Sequence, residues 1–374
     1  MKAATDSHRI FEKTRLMLVT SPEKTKAGAL AVPAIQHLTV GDLTDYLAPG
    51  DLFVFNSSGT LPSSFQGRVQ HSRTPLEVRL ASFRGRDASD LSSWMAVTFG
   101  SGNWHEPTES RGIAPELRIG DEIEFTNSSI TGSIATRSIA TESPKLRAKI
   151  VTIDPVHPRL IQIKFYSDDL IRALYLHGRP IQYSYLAQDL EVWDQQTLMA
   201  GSPLSVEPPS ATFPFNWDQL FRLKNRGIEF ATLLHAAGLS STGDAGLDQR
   251  LPLNEFYQIP TEVLARVNLA RAQGRRVIAL GTTVARALES AKASLLHSSS
   301  ASGYTSLRLG PDHPARVVTT LITGMHAQGT SHAELMKAFC PPILLREAEH
   351  EAEERGYRSH EYGDLTLVEG QKLS

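Results

Sequence analysis

Between residues 62 and 166 the apolar residues fall into period-two runs, whereas on both sides of that span they follow helical spacing between short apolar strands. No other feature limits the fold as much. PLEVRLASF (75–83) and KLRAKIVTI (145–153) alternate apolar with polar residues, LIQIKFY (160–166) follows, and DEIEF opens after Gly120. TGSIATRSIATESP (131–144) is polar and turn-rich. Strand patterns at this spacing predict a small antiparallel barrel or sandwich.

The flanks alternate helix and strand. NWDQLFRLKNRG places Asn216 as a cap, Gln219 three residues on, and Gly227 to end the helix. IEFATLLH (228–235) reads as a strand, then a helix from Thr261 to Gly274, then the buried strand RRVIAL (275–280). GTTVARALES opens a helix, RVVTTLIT (316–323) is a strand, and SHAELMKAF carries a Ser331-x-x-Glu334 capping box. LLREAEHEAEERG reads as a charged helix ending at Gly356. The expected fold is therefore an α/β main domain with a mixed sheet and flanking helices, carrying an inserted small all-β barrel. The boundaries expected are 1–61 and 167–374 for the discontinuous α/β domain and 62–166 for the insert.

Composition narrows the class. A chain of 374 residues exceeds what one core usually needs, and 41% apolar with 21% charged residues is globular rather than disordered. No apolar run reaches about 18 residues, and MKAATDSHRIFEKTR has no apolar core of a secretion signal, so a cytoplasmic protein off the membrane is expected. One cysteine, Cys340, excludes an internal disulfide framework and a cysteine-based zinc cluster, and no metal is expected. The formal charge of −2 gives no global footprint for nucleic acid, which leaves only local basic patches such as Arg275–Arg276.

Three stretches have residues suited to chemistry. VIALGTTVARALES runs a strand through Gly281 into Thr282 and Thr283, where free N–H groups at a helix start favour a carboxylate or phosphate. A Thr-capped strand–helix joint explains the same pattern. TLITGMHAQGTSHAEL puts His326 just past a strand, as base, hydrogen-bond donor or plain loop histidine. Tyr362-Gly363-Asp364 before an apolar strand is a turn signature or a carboxylate aimed into a cleft. His235 at a strand's end and Glu255 in LPLNEFYQIP complete the candidates. Walker, GxSxG, GxGxxG and HExxH signatures are absent.

Taken in order, these blocks resemble the S-adenosylmethionine:tRNA ribosyltransferase-isomerase family of queuosine biosynthesis (the QueA family). TRLMLV, PGDLFVFN, GRPIQYSYL, QQTLMAG, ALGTTVARALES, LITGMH and YRSHEYGDLTLV follow the family's blocks collinearly over most of the chain. The resemblance implies an α/β domain with an inserted barrel. It implies S-adenosylmethionine as co-substrate and tRNA as acceptor, its ribosyl part being transferred and rearranged onto a 7-aminomethyl-7-deazaguanine base. It further implies catalytic roles among Asp364, Glu255, His326 and His235. Gly281, Thr282, Thr283, Arg286, Tyr362 and Gly363 would bind the co-substrate, and Asn56, Gln196 and Thr197 the acceptor. A monomer or weak homo-oligomer is expected.

The chain also departs from the family pattern. Where the family reads Asn-Asp-Thr-Arg-Val-x-Pro-Ala-Arg, this chain has NSSGTLPSS (56–64), with Gly59 and Ser64 in place of arginines. Pro214 replaces a histidine, HAAGLSS keeps only His235 of its block, and RLPLNE keeps only Glu255. Neither glycine nor serine replaces a bidentate arginine contact. Three readings therefore compete: the family reaction, a diverged enzyme using S-adenosylmethionine on a small nucleoside or metabolite, and a non-catalytic binding protein. If cations are needed to compensate, Arg68 and Arg73 are the nearest in sequence.

Overall fold

In the computed structural model, residues 1–5, 13–20, 34–127, 143–295, 300–326 and 329–370 are described; the 131–144 tract lies almost wholly outside them. Six strands form the barrel, in the order Ser64–Val69, Pro75–Phe83, Ser93–Phe99, Leu160–Tyr166, Arg147–Ile153 and Glu122–Phe125. The last strand pairs back antiparallel onto Ser64–Val69, with Gly67 opposite Phe125, which closes the barrel. A Cβ on Gly67 would lie 2.9 Å from Glu124 O, so closure at this register needs glycine. The interior is aromatic: Phe65, Phe125 and Phe165 lie with ring centroids 5.4–5.7 Å apart, and Phe83 meets Trp94 edge-on at 5.2 Å.

The α/β part is a nine-stranded mixed sheet. Four central strands run parallel, in the spatial order Glu229–His235, Leu52–Asn56, Val277–Leu280 and Thr320–Gly324. Antiparallel Glu255–Ile259 and Ala301–Thr305 extend one side, and Leu365–Glu369, Arg15–Thr20 and Ile35–Thr39 extend the other. LFVFN is buried throughout because both faces are covered. Leu52 and Val54 join a core with helices Thr261–Ala272 and Thr282–Ser290. Phe53 and Phe55 pack on the opposite side with Leu220 and Leu223 of helix Trp217–Asn225. The chain leaves the sheet at Asn56, crosses 57–63 into the barrel, and returns through helix Leu170–His177; Arg179 pairs with Ser64 beside the entry.

Three expectations need correction. Pro75–Phe83 is buried at eight consecutive positions rather than at alternate ones: Glu77 is bound to Arg79 and to Arg111, and Ala81 O accepts from Leu239 N of the α/β part. The strand expected at 316–323 begins at Thr320; the N–H groups of Arg316, Val317 and Val318 all donate to Glu289 Oε1 instead. The cap of Ser331–Met336 is Thr330, whose hydroxyl accepts from Ala333 N, one residue before the expected box. Among the described residues no helix is long and apolar enough to cross a membrane.

Candidate functional site

The register of the sheet brings the candidate residues to one edge. Asn56, His235, Gly281 and the Gly324–His326 segment follow or end the four parallel strands. Glu255 starts the strand antiparallel to Glu229–His235, and Tyr362-Gly363-Asp364 precede the strand antiparallel to Thr320–Gly324. Loops at the carboxyl ends of parallel strands are where open α/β sheets take ligands.

The densest network surrounds His235, which has no solvent exposure. Asn56 fixes its backbone from both sides: Nδ2 donates to His235 O at 2.9 Å and His235 N donates to Oδ1 at 3.0 Å. The same Nδ2 reaches Thr283 Oγ1 at 3.3 Å, which joins the strand end to the helix opened by Gly281. Gly281 has φ +94°, a conformation that favours glycine. His235 Nε2 stands 3.5 Å from Glu255 Oε2, and neither ring nitrogen has a hydrogen-bond partner among the described residues. Glu255 accepts from Gly238 N at 2.6 Å and from Arg286 Nη1; Arg286 Nε donates to Leu307 O, and its Nη2 has no acceptor among the described residues.

The charges follow from this geometry. Burial drives the His235 pKa down from 6.5 to about 4, against the pull of Glu255, so the ring is neutral at physiological pH. Burial alone would raise Glu255, but the Arg286 guanidinium and then His235 outweigh it and hold the carboxyl below its ordinary value. The result is an ionised carboxylate paired with an arginine, beside a neutral imidazole with unused hydrogen-bonding capacity.

Other candidates lie along the same edge without joining this network. His326 stacks on His332 at 4.3 Å, and burial, with the charges of His332 and His360, holds its pKa well below the usual value. Tyr362 is buried and stacks on Phe213 at 5.1 Å, while Gly363 is packed so closely on Arg358 O that a Cβ would lie 2.4 Å from it. The Asp364 carboxylate is held elsewhere: it accepts from Arg15 Nη2 at 2.7 Å, Arg15 N at 3.1 Å and Arg358 N at 2.8 Å. Its geometry is that of a brace between the N-terminal strand and the C-terminal turn. Thr282 is buried at the start of its helix.

Gln196 also has a structural part. Its amide pairs with the backbone of Thr60 in both directions, at 3.0 and 2.8 Å, and Thr197 next to it is buried. Together with the pairing of Gly59 to Pro203, this clamps the crossing into the barrel. A Cβ on Gly59 would come 2.9 Å from Gly201 O, so no arginine fits there. Arg68 and Arg73 are also remote from any compensating role: Arg68 donates to Arg73 O in an exposed turn, and Arg73 faces Glu124 at 3.6 Å. Beside Ser64 stand instead Arg79, its cross-strand partner, and Arg111, both bound to Glu77, which also accepts from Ser64 Oγ. The spacing Glu77-x-Arg79 on one strand was the sequence signal for this cluster. Also absent from the expectations is an aromatic wall in which Tyr185 stacks on His360 at 4.5 Å. Beside it Tyr183 donates at 2.5 Å to Glu207, whose pKa burial, then Glu361, raises to about 7.

The profile of a family described as queuosine biosynthesis protein matches residues 3–368. A Thermus thermophilus protein named S-adenosylmethionine:tRNA ribosyltransferase-isomerase is 29% identical over 336 residues, covering 89% of this chain and 88% of the relative. A Natranaerobius thermophilus protein of the same name is 26% identical over 363 residues, covering 95% and 92%. The crystal structure of an S-adenosylmethionine tRNA ribosyltransferase from Thermotoga maritima aligns over 98% of this chain and 96% of that one, with a TM-score of 0.49 and 21% identity. With the profile spanning nearly its whole length, the chain belongs to the queuosine biosynthesis protein family.

Proposed function

We propose that this protein transfers and isomerises the ribosyl moiety of S-adenosylmethionine onto a 7-aminomethyl-7-deazaguanine base in tRNA, forming the epoxide nucleoside with adenine and methionine leaving. Family membership supports the reaction class. The observation that carries the reading to residues is the fully buried, neutral His235, its ring nitrogens free of hydrogen bonds among the described residues, beside ion-paired Glu255. In this reading residues 1–61 and 167–374 form the catalytic domain and 62–166 an inserted barrel.

The residues present suit the co-substrate. Buried Arg286 Nη2 is a donor for an anionic or carbonyl group, and the stacked Phe213–Tyr362 pair is a wall for a flat ring. Gly281, Thr282, Thr283, Arg286, Tyr362 and Gly363 would hold it. When bound, S-adenosylmethionine supplies a sulfonium that acidifies its neighbouring C–H bonds. With the Nε2 hydrogen directed at Glu255, His235 Nδ1 is the proton acceptor, and Glu255 stabilises the imidazolium that results. Arg286 keeps Glu255 ionised, and Asn56 fixes the backbone that aims the ring. No metal enters this scheme. The test is incubation with S-adenosylmethionine and tRNA bearing the aminomethyl base, with adenine release and nucleoside mass as readouts. Adenine release with the epoxide mass is expected; adenine release without modified tRNA would contradict transfer to tRNA.

A further inference from the structure

The barrel carries a second cluster that this reaction scheme does not use. Three guanidinium groups surround Phe99: Arg79 at 4.8 Å, Arg111 at 5.6 Å and Arg159 at 4.6 Å from the ring centroid. The Arg79 and Arg111 side chains are 2% and 1% exposed, and among the described residues the buried acid bound to them is Glu77. Glu77 accepts from Arg79 Nε at 2.5 Å and from Arg111 Nη2. Arg159 gives its Nε and Nη2 hydrogens to Thr98 O and Thr242 O. Asp244 and Asp248 attract Arg159, but they already accept from Gly246 N and Leu247 N, and from Thr242, respectively. Arg79 Nη1 and Arg111 Nε and Nη1 remain without an acceptor among the described residues, and half-exposed Glu106 stands 3.9 Å from Arg111 Nε. Buried charged donors left unmade are costly, and two cations over one carboxylate leave a net positive charge in a dry place.

The cluster sits at the seam with the catalytic edge. Two residues beyond Arg79, Ala81 O accepts from Leu239 N, and the adjoining Gly238 N donates to Glu255. Gly102 lies against Arg111, its Cβ position 2.7 Å from Arg111 Nε, and Thr108 lies against Gly243, whose Cβ position is 2.6 Å from Thr108 C.

We propose that Arg79 and Arg111, steadied by Arg159 and Phe99, form an oxyanion-binding subsite at the seam between barrel and sheet, entered where Glu106 now faces Arg111. The occupant is a carboxylate or a phosphate; that it comes from S-adenosylmethionine or from the RNA backbone rests on the function proposed above. A planar guanidinium pair suits either oxyanion.

The experiment is calorimetric titration of the full-length protein with sodium sulfate at constant ionic strength. Saturable binding is expected, weakened at least tenfold in Arg79→Met and tightened severalfold in Glu106→Gln, which removes the competing carboxylate at the surface. Competition identifies the source: sulfate displacing S-adenosylmethionine, with a decarboxylated analogue binding Arg79→Met and wild type equally, assigns the methionine carboxylate. Sulfate displacing tRNA alone assigns a backbone phosphate. No saturable sulfate binding to the wild-type protein overturns the proposal, as does undiminished binding in Arg79→Met or weaker binding in Glu106→Gln. Should Arg79→Met fail to fold, the wild-type and Glu106→Gln titrations decide. None of these needs turnover, so a protein that binds sulfate here yet never releases adenine would keep this subsite and lose the proposed reaction.

Discussion

The sheet edge and the barrel each bury arginine against glutamate, and they do so with different arithmetic. At the sheet edge one carboxylate, Glu255, meets one guanidinium, Arg286, and the third member, His235, is neutral. In the barrel one carboxylate, Glu77, meets two guanidinium groups. Burying an ion pair adds little net stability, because desolvation offsets the attraction, whereas removing one partner is strongly destabilising. What distinguishes the two places is therefore the capacity left over. The sheet edge retains an unbonded imidazole, which suits proton transfer. The barrel retains unbonded cationic donors, which suit an anion.

The comparison breaks most readily at the acids. Glu77→Gln leaves two buried cations without their counter-charge, and Glu255→Gln leaves one. Urea unfolding should register about 3–5 kcal/mol lost for Glu77→Gln and less for Glu255→Gln. Equal losses would mean that the barrel arginines already have another counter-charge.

A second expectation concerns acid. The folded His235 value of about 4 lies below the ordinary 6.5, so the unfolded chain takes the proton first as pH falls. Stability from this group is complete above pH 6.5 and declines down to about 4, a loss of about 3 kcal/mol that His235→Asn should abolish. Urea midpoints for both proteins across that window check it, and parallel curves would contradict a buried neutral ring.

The smallest effect is expected at the joint between strand and helix. Thr283→Val removes one of two acceptors for Asn56 Nδ2 and a hydroxyl from the proposed co-substrate edge. It should weaken S-adenosylmethionine binding by about 1 kcal/mol, measured by calorimetry with the fold intact. Unchanged affinity would exclude Thr283 from the binding surface.

Local patterning exposed most of the architecture. The period-two runs around 75–83, 147–153 and 160–166 mark barrel strands, and Gly227, Gly274 and Gly356, all at positive φ, mark the helix ends read from them. What stayed hidden depends on partners distant in sequence. Asp364 reads as a turn or cleft carboxylate, and nothing near it in the chain shows that Arg15, 349 positions away, binds its oxygens. Gln196 is expected at a ligand, and its pairing with Thr60, 136 positions away, has no signal near it in the chain. Arg79 falls among the polar positions of the alternating run 75–83, and periodicity does not show that Arg111, distant in the chain, shares Glu77 with it. His235 and Glu255 were legible as residue types at strand ends; their proximity needed the antiparallel register of Glu229–His235 with Glu255–Ile259.

The most direct test of the central claim separates binding from proton transfer at His235. Wild type and His235→Asn are compared for S-adenosylmethionine affinity by calorimetry and for adenine release with tRNA bearing the aminomethyl base. The account predicts affinities within a few fold of each other and adenine release slowed by about 10²–10⁴ in the variant, the range expected when a positioned general base is lost. Adenine release by His235→Asn at the wild-type rate would contradict it.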